Sequence, residues 1–404
     1  MPGSLITVDE ARASVLAAVR PLAAEVVPAA EALGRVLAED VVAELELPPF
    51  DSSAMDGYAL DGNAPSAAGG ELPVIGESQA GAPFAGRIEP GQAVRISTGA
   101  VIPEGANAVV PVERAEVVAA DQYAEIIRIP ATKPGAHVRR AGEDVHRGDV
   151  VLHAGSELGP AELGMLSALG RVDARCARRP RVAVVATGDE LVPAGEPLGP
   201  GQIHDSNATA ISALASLAGA TTTGRFGVGD TRESTVAALD QAARGTDVVC
   251  ITGGVSVGPH DHVKGALAEL GFDEQIWGVK LKPGKPFWFG VRDDCYAFGL
   301  PGNPVSAMVT FHLFARPALR ALQGADPDVT RSSAVLDGPI EANADRDQAV
   351  RCRLRMADDG WHAEPTGPQG SHVMSSMLGA AALAIVPAGE RDLAPGERVA
   401  IQLL

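Results

Sequence analysis

The segment that most restricts how this chain can fold runs from Asp247 to Lys264 and reads DVVCITGGVSVGPHDHVK. Val248, Val249 and Ile251 make an apolar, β-branched run that favours a buried strand. Gly253 and Gly254 follow at once, then a small-residue loop with Ser256 and Gly258, then Asp261 at a helix start. Strand, tight turn and helix N-terminus in that order make an anion site in an open α/β sheet. The glycines let an anion reach the backbone, and Asp261 can hold a divalent cation beside it.

The surrounding sequence supports such a sheet. From Pro180 onward, strands over 182–186, 222–228, 247–251 and 295–298 alternate with helices over 208–218, 231–243, 262–270 and 305–322. That alternation predicts a mostly parallel sheet covered on both faces, in an α/β domain spanning 179–325. Ahead of it, Thr7 and Glu10 form a capping box for a first helix, and a second helix is expected over 29–37. With a helix over 160–169, these residues assign 1–47 and 148–178 to an extended helical domain. Short apolar strands and Gly/Pro turns between them define a β-rich insert over 48–147. After a polar linker at 324–331, alternation in 349–356 and a last strand at 398–403 place a small β domain at 332–404. The expected class is therefore α/β, multidomain.

Composition narrows the functions. The chain has 404 residues, a hydrophobic content of 46% and a formal charge of −18. A surface so acidic repels nucleic acid and acidic membranes, so neither is an expected partner. No stretch reaches the roughly 18 apolar residues of a membrane span, and no signal-peptide pattern opens the chain. Cys176, Cys250, Cys295 and Cys352 are widely spaced, which suits reduced, structural thiols in a cytoplasmic protein.

Ligands of a parallel sheet bind outside the carboxyl ends of its strands, and four polar motifs fall there. They are Thr187-Gly188-Asp189-Glu190, Gly229-Asp230, the glycine-rich loop with Asp261, and Pro301-Gly302-Asn303-Pro304. Lys282 and Lys285, in a Pro/Gly turn, add two ammonium groups. One patch is thus expected to gather Glu190, Asp230, Asp261, Lys282 and Lys285, with carboxylates for a hard cation and lysines for anionic oxygens. Structural roles compete: Asp230 with Glu233 reads as a capping box, Asp261 as an N-cap, and Asn303-Pro304 as N-cap and first helical residue. Capping and ligand binding are compatible, since both place polar groups at a helix start. Upstream, Ser52–Tyr58, Ser97–Ala100 and the charged turn at 139–144 are further small or charged loops, with Asp56-Gly57 a good turn signal.

Together these residues resemble a family, the molybdopterin molybdenumtransferases (MoeA), which includes the E domain of gephyrin. The likeness lies in LPPFDSSAMDGYAL (47–60), ISTGAVIPEGANAVVPVE (96–113), VRRAGEDVHRGD (138–149), VAVVATGDEL (182–191), ITGGVSVGPHD (251–261), LKPGKP (281–286) and LPGNPVSA (300–307). It implies a MogA-like α/β domain carrying the active site, within a four-domain layout. It also implies binding of adenylylated molybdopterin and molybdate, Mg²⁺-dependent cleavage of the adenylate, release of AMP, and molybdenum left on the dithiolene. The implied catalytic residues are Asp56, Asp144, Glu190, Asp230, Asp261, Lys282 and Lys285, with Glu190, Asp230 and Asp261 around the metal. Implied substrate contacts are Thr98, Arg139, Thr187, Gly188, Asp189, Ser206, Gly253, Gly254, Ser256, Gly258 and the turn Pro301, Gly302, Asn303, Pro304. In the family, Asp56 and Asp144 reach the cleft from a neighbouring subunit, which implies a homodimer. A MogA-type adenylyltransferase and apo-molybdoenzymes are the implied protein partners.

One region departs from the family pattern. Where the family often has Gly-Ser-Gly and a later Ala-Asn pair, this chain has Gly370-Ser371-His372 and Ala380-Ala381-Ala382. His372 reads there as a surface or packing residue. Two other functions compete: a CinA-type nucleotide pyrophosphatase, which lacks the SAMDGY and GED motifs, and a non-enzymatic gephyrin-like scaffold. The full set of acidic and lysine positions favours the enzyme.

Overall fold

The computed structural model describes residues 5–120, 125–229, 231–255, 262–328 and 330–404. The chain divides into two compact units. One comprises Met1–Glu39, Ala154–Gly159 and Ala174–Leu404, and the other Asp40–His153 and Pro160–Asp173.

The larger unit contains the α/β sheet. Its elements in chain order are β1 (Arg181–Thr187), α1 (Asn207–Leu217), β2 (Thr221–Val228), α2 (Arg232–Ala243), β3 (Val248–Thr252), α3 (Val263–Glu269), β4 (Asp273–Trp277), β5 (Trp288–Arg292) and β6 (Cys295–Leu300). The sheet order is β2-β1-β3-β6-β5-β4. The first four strands run parallel, and β5 and β4 form an antiparallel edge. Alternate residues of β1 feed two cores: Val182 and Val184 pack with Ile211 and Phe314, while Ala183 and Val185 pack with Leu239 and Leu267. Burial on both faces explains why β1 and β3 read as unbroken apolar runs rather than alternating ones. The chain leaves β1 for β2 on one side and returns to β3 on the other. The carboxyl ends of β1 and β3 therefore flank a topological switch point.

After β6 the expected single helix over 305–322 is interrupted. It becomes α4 (Pro304–Thr310), a π-helical turn (Phe311–Ala315) and α5 (Arg316–Leu322). All five residues of the π turn are buried, with Phe314 stacked on Phe287 at 4.3 Å. At the N-terminus, the Thr7–Glu10 capping box is present on the helix Val8–Ala18. The second helix expected over 29–37 is absent: only a 3₁₀ turn, Ala29–Glu31, forms. Gly34 turns left-handed (φ 69°), and the buried Val36 and Leu37 bridge to Glu157 and Cys176 as extended backbone. Tertiary pairing there overrides the local helical pattern.

The C-terminal strands Asp347–Ala357, Gly360–Pro365, Arg331–Leu336, Arg398–Leu403 and Ala382–Val386 form a closed ring. The first of them pairs with both its second and its last neighbour. A short segment, Leu281–Lys282, joins this barrel in parallel, opposite Asp347 and Gln348. All four cysteines are free and buried, and burial pushes the Cys250 thiol up to about 12. No helix among the described residues is long and apolar enough to cross a membrane.

The smaller unit is built on a six-stranded sheet, ordered Ala108–Pro111, Gly57–Leu60, Ala93–Ile96, Gly70–Ser78, Glu125–Ile129, Glu116–Ala120. It also holds the helix Pro160–Ala168.

Candidate active site

A cleft of about 680 Å³ opens at the carboxyl ends of β1, β3 and β6. Of the residues singled out in the sequence, it gathers Thr187, Gly188, Glu190, Ser206, Gly253, Gly254, Pro301, Gly302, Asn303 and Pro304. The loops can crowd together because glycines face one another. A Cβ on Gly253, which has φ of 84°, would lie 2.8 Å from Thr187 Oγ1, and one on Gly302 would lie 3.6 Å from Gly253 Cα. The loops are then tied: Gly253 N–H donates to Leu300 O at 3.1 Å, and Asn207 Nδ2 donates to Gly302 O at 2.7 Å. Glu190 folds its carboxylate back onto the backbone at Gly188, where a Cβ would sit 2.3 Å from Oε2. Asp189 reaches Gly229 in the same way, at 2.7 Å from its Oδ1.

Several expectations are corrected here. The cap of α2 is Thr231, whose hydroxyl accepts the Ser234 N–H, rather than an Asp230–Glu233 box. Asn303 occupies the N-cap position with Pro304 behind it. Its side chain does not cap, but donates instead to Ser371 Oγ of the barrel domain at 2.9 Å. Asp230, Ser256, Gly258 and Asp261 lie outside the described residues.

The two lysines are not part of this cleft's described lining, which carries Glu190 and Asp205 but no lysine or arginine. Lys282 lines a second cavity of about 540 Å³ with Gln348, Arg351 and Gln369. Lys285 lines a third with Lys280 and Arg346. The cause is the parallel pairing of Lys282 with Gln348, which draws the Lys-Pro-Gly-Lys turn onto the barrel.

That second cavity holds a buried charged side chain that the sequence reading did not single out. Arg351 is only 1% exposed, and its Nε and Nη2 donate to Ser376 Oγ at 3.2 and 3.0 Å. Nη2 also donates to Gly370 O at 3.2 Å. No carboxylate among the described residues pairs with it, and burial pulls its guanidinium down to about 10. Nearby, Gln348 Oε1 is buried without a donor. A buried cation lacking a paired counter-ion is costly, and the same cavity is lined by Lys282 and by one carboxylate, Glu341. The sequence signal was an arginine inside the apolar run Ala349-Val350-Arg351-Cys352.

In the smaller unit, Asp56 and Thr98 are joined. Asp56 Oδ1 accepts the Thr98 N–H at 2.6 Å and its hydroxyl at 3.0 Å, which holds the Asp56 carboxyl below its ordinary range. The strand Ser52–Ser53 pairs with Val138–Arg139, bringing the Asp56 and Arg139 segments side by side. Asp144 is exposed on the same charged turn, its N–H bound to Leu47 O at 3.0 Å. Gly57 is not there for a turn: a Cβ would lie 2.0 Å from Val110 O, so the strand contact itself excludes a side chain.

Comparison with known proteins assigns the whole chain. Residues 6–170 match the model of the MoeA N-terminal region (domains I and II), 183–321 a probable molybdopterin binding domain, and 333–404 the MoeA C-terminal region (domain IV). A molybdopterin molybdenumtransferase of Haemophilus influenzae is 35% identical, with 98% of each chain covered. Molybdopterin molybdenumtransferase 2 of Mycobacterium tuberculosis is 38% identical, with 96% of each covered. The crystal structure of the molybdopterin biosynthesis protein MoeA of Pyrococcus horikoshii OT3 superposes with a TM-score of 0.84 at 30% identity, covering 99% of this chain and all of that one. The chain belongs to the MoeA family of molybdopterin molybdenumtransferases, enzymes of molybdenum cofactor biosynthesis.

Proposed function

We propose that the protein transfers molybdenum into adenylylated molybdopterin, cleaving the adenylate and releasing AMP. The observation that carries this reading is the adjacency of two unlike receptors. The cleft at the switch point offers backbone N–H groups and a helix start to a phosphate. The neighbouring cavity offers a buried Arg351 and Lys282 to a small oxyanion such as molybdate. The stretch from Gly367 to His372 contributes to both, with Gly367, Gln369 and Gly370 lining the cavity and His372 the cleft.

The donor set fits a hard divalent cation in kind: Glu190 lines the cleft, and Asp189 adjoins it. No group of three metal-ligating side chains occurs among the described residues, so Asp230, Asp261 and substrate oxygens would complete the shell. Magnesium, when bound there, would neutralise charge on the phosphate as the anhydride is cleaved. The residues' own tasks are distinct. Thr187, Gly253 and Gly302 shape a backbone wall that a phosphate can approach. Glu190 orients water or metal at the end of β1. Arg351 and Lys282 hold the oxyanion and offset negative charge as it develops. In a homodimer, Asp56 and Asp144 of one subunit would complete the cleft of the other.

The test is AMP release from purified adenylyl-molybdopterin under anaerobic conditions, with and without magnesium and molybdate. Molybdate-dependent release, with a product that reconstitutes an apo-molybdoenzyme, supports the reading. AMP formed from ADP-ribose with no response to molybdate would instead point to a pyrophosphatase. Tight pterin binding without turnover would point to a scaffold.

A further inference from the structure

The described wall of the switch-point cleft has an unusual charge inventory for a site that takes a phosphate. Glu190 and Asp205 are its acidic groups, and His204, His262 and His372 are its only side chains able to carry positive charge. The three histidines are not equivalent. His204 Nδ1 is engaged with Pro193 O at 3.2 Å. His262 stands at the N-cap of the short α3, directly after Asp261. His372 alone comes from the barrel domain, and its exposed ring makes no hydrogen bond or ion pair among the described residues.

The backbone beneath that ring is held on every side. Ser371 O accepts the Val305 N–H at 3.2 Å, and Ser371 Oγ accepts Asn303 Nδ2 at 2.9 Å. Gly370 O accepts from the buried Arg351, and the His372 carbonyl accepts the Met374 N–H at 3.0 Å. The ring leans over Gly370, where a Cβ would lie 3.0 Å from its Cε1. An imidazole with free nitrogens, on a backbone anchored to α4 on one side and to Arg351 on the other, is a pre-positioned ligand contact. It lines the cleft one residue beyond the anchored Ser371, on a segment whose Gly367, Gln369 and Gly370 line the second cavity.

We propose that His372 is a substrate-binding residue of the cleft, donating a hydrogen bond to the phosphate region of the adenylylated substrate. This rests on the function proposed above. The contact is a binding contact made before and during cleavage alike, so its loss should weaken binding without slowing the chemical step.

The experiment uses the full chain and its His372→Ala and His372→Gln variants, with thermal unfolding to verify the fold. Equilibrium binding of adenylyl-molybdopterin is measured first, without molybdate. KM and kcat for molybdate-dependent AMP release are measured second. The expected result is a rise of about tenfold in Kd and KM for His372→Ala at nearly constant kcat, with His372→Gln recovering most of it. Unchanged Kd and KM in a folded His372→Ala protein would overturn the assignment while leaving the proposed function intact. A parent protein that binds the substrate but releases no AMP would sink the insertase reading, and the Kd comparison would still judge His372. A parent protein that does not bind it would overturn both.

Discussion

At the scale of single residues, Arg351 and Gly57 show how burial decides what a side chain is for. Arg351 is buried with hydrogen bonds but no counter-ion, so its charge opposes folding rather than aiding it. Arg351→Met should therefore leave stability to urea within about 1–2 kcal/mol of the parent, because relief of the buried charge offsets the three hydrogen bonds lost to Ser376 Oγ and Gly370 O, and Ser376 Oγ still donates to Val373 O. The same variant should raise the molybdate concentration for half-maximal AMP release by at least about tenfold, a charge-assisted contact being lost. An Arg351→Met protein that unfolds readily, or one that responds to molybdate normally, would contradict this role. Gly57 makes the opposite case. A Cβ there would strike Val110 O at 2.0 Å, and both atoms belong to paired strands that cannot part cheaply. Gly57→Ala should lower stability by about 1–3 kcal/mol in denaturant titration, the usual cost of overpacking.

At the scale of elements, the barrel carries a cross-strand charge network with a defined pH response. His362 and Arg355 are direct partners on antiparallel strands. His362 Nδ1 meets Asp337 Oδ1 at 2.7 Å and its Nε2 meets Asp359 Oδ1 at 2.8 Å. These bonds, that to Asp337 foremost, raise the His362 pKa above its ordinary value. A raised pKa means the folded state holds the proton more tightly than the unfolded chain does. The stabilisation is fully present below the unfolded pKa of about 6.5 and is lost as pH rises through the folded value. The melting temperature of the parent should therefore exceed that of His362→Gln most at about pH 6, with the gap closing toward alkaline pH. A gap that widens with pH would invert the assignment. The helix Val8–Ala18 offers a simpler check, since Thr7→Ala removes its capping box and should cost about 1 kcal/mol by denaturant titration.

At the scale of the whole molecule, the proposed dimer makes each active site a shared one. If Asp56 acts in the cleft of the neighbouring subunit, Asp56→Asn and Glu190→Gln damage opposite contributions to a site. Each variant should be inactive alone. Random mixing should restore about one quarter of parental activity, because half the dimers are mixed and each of those has one intact site. No recovery after subunit exchange would place both residues in the same subunit's site. Much of this architecture is legible in the sequence. The α/β sheet declared itself in β1 and β3, whose unbroken apolar runs require cover on both faces. The loops Thr187–Gly188, Gly253–Gly254 and Pro301–Pro304 were found because glycine and proline mark turns wherever they stand. The sequence by itself thus determined the sheet, the loops at the carboxyl ends of its strands and the family, all of which depend on local periodicity and short motifs. Only the tertiary structure decided that residues 36–37 pair as extended chain, that Lys282 belongs beside Gln348, and that Arg351 and His372 line two different cavities. Those outcomes depend on contacts between segments far apart in the chain, and long-range pairing leaves no periodic trace in the residues that make it.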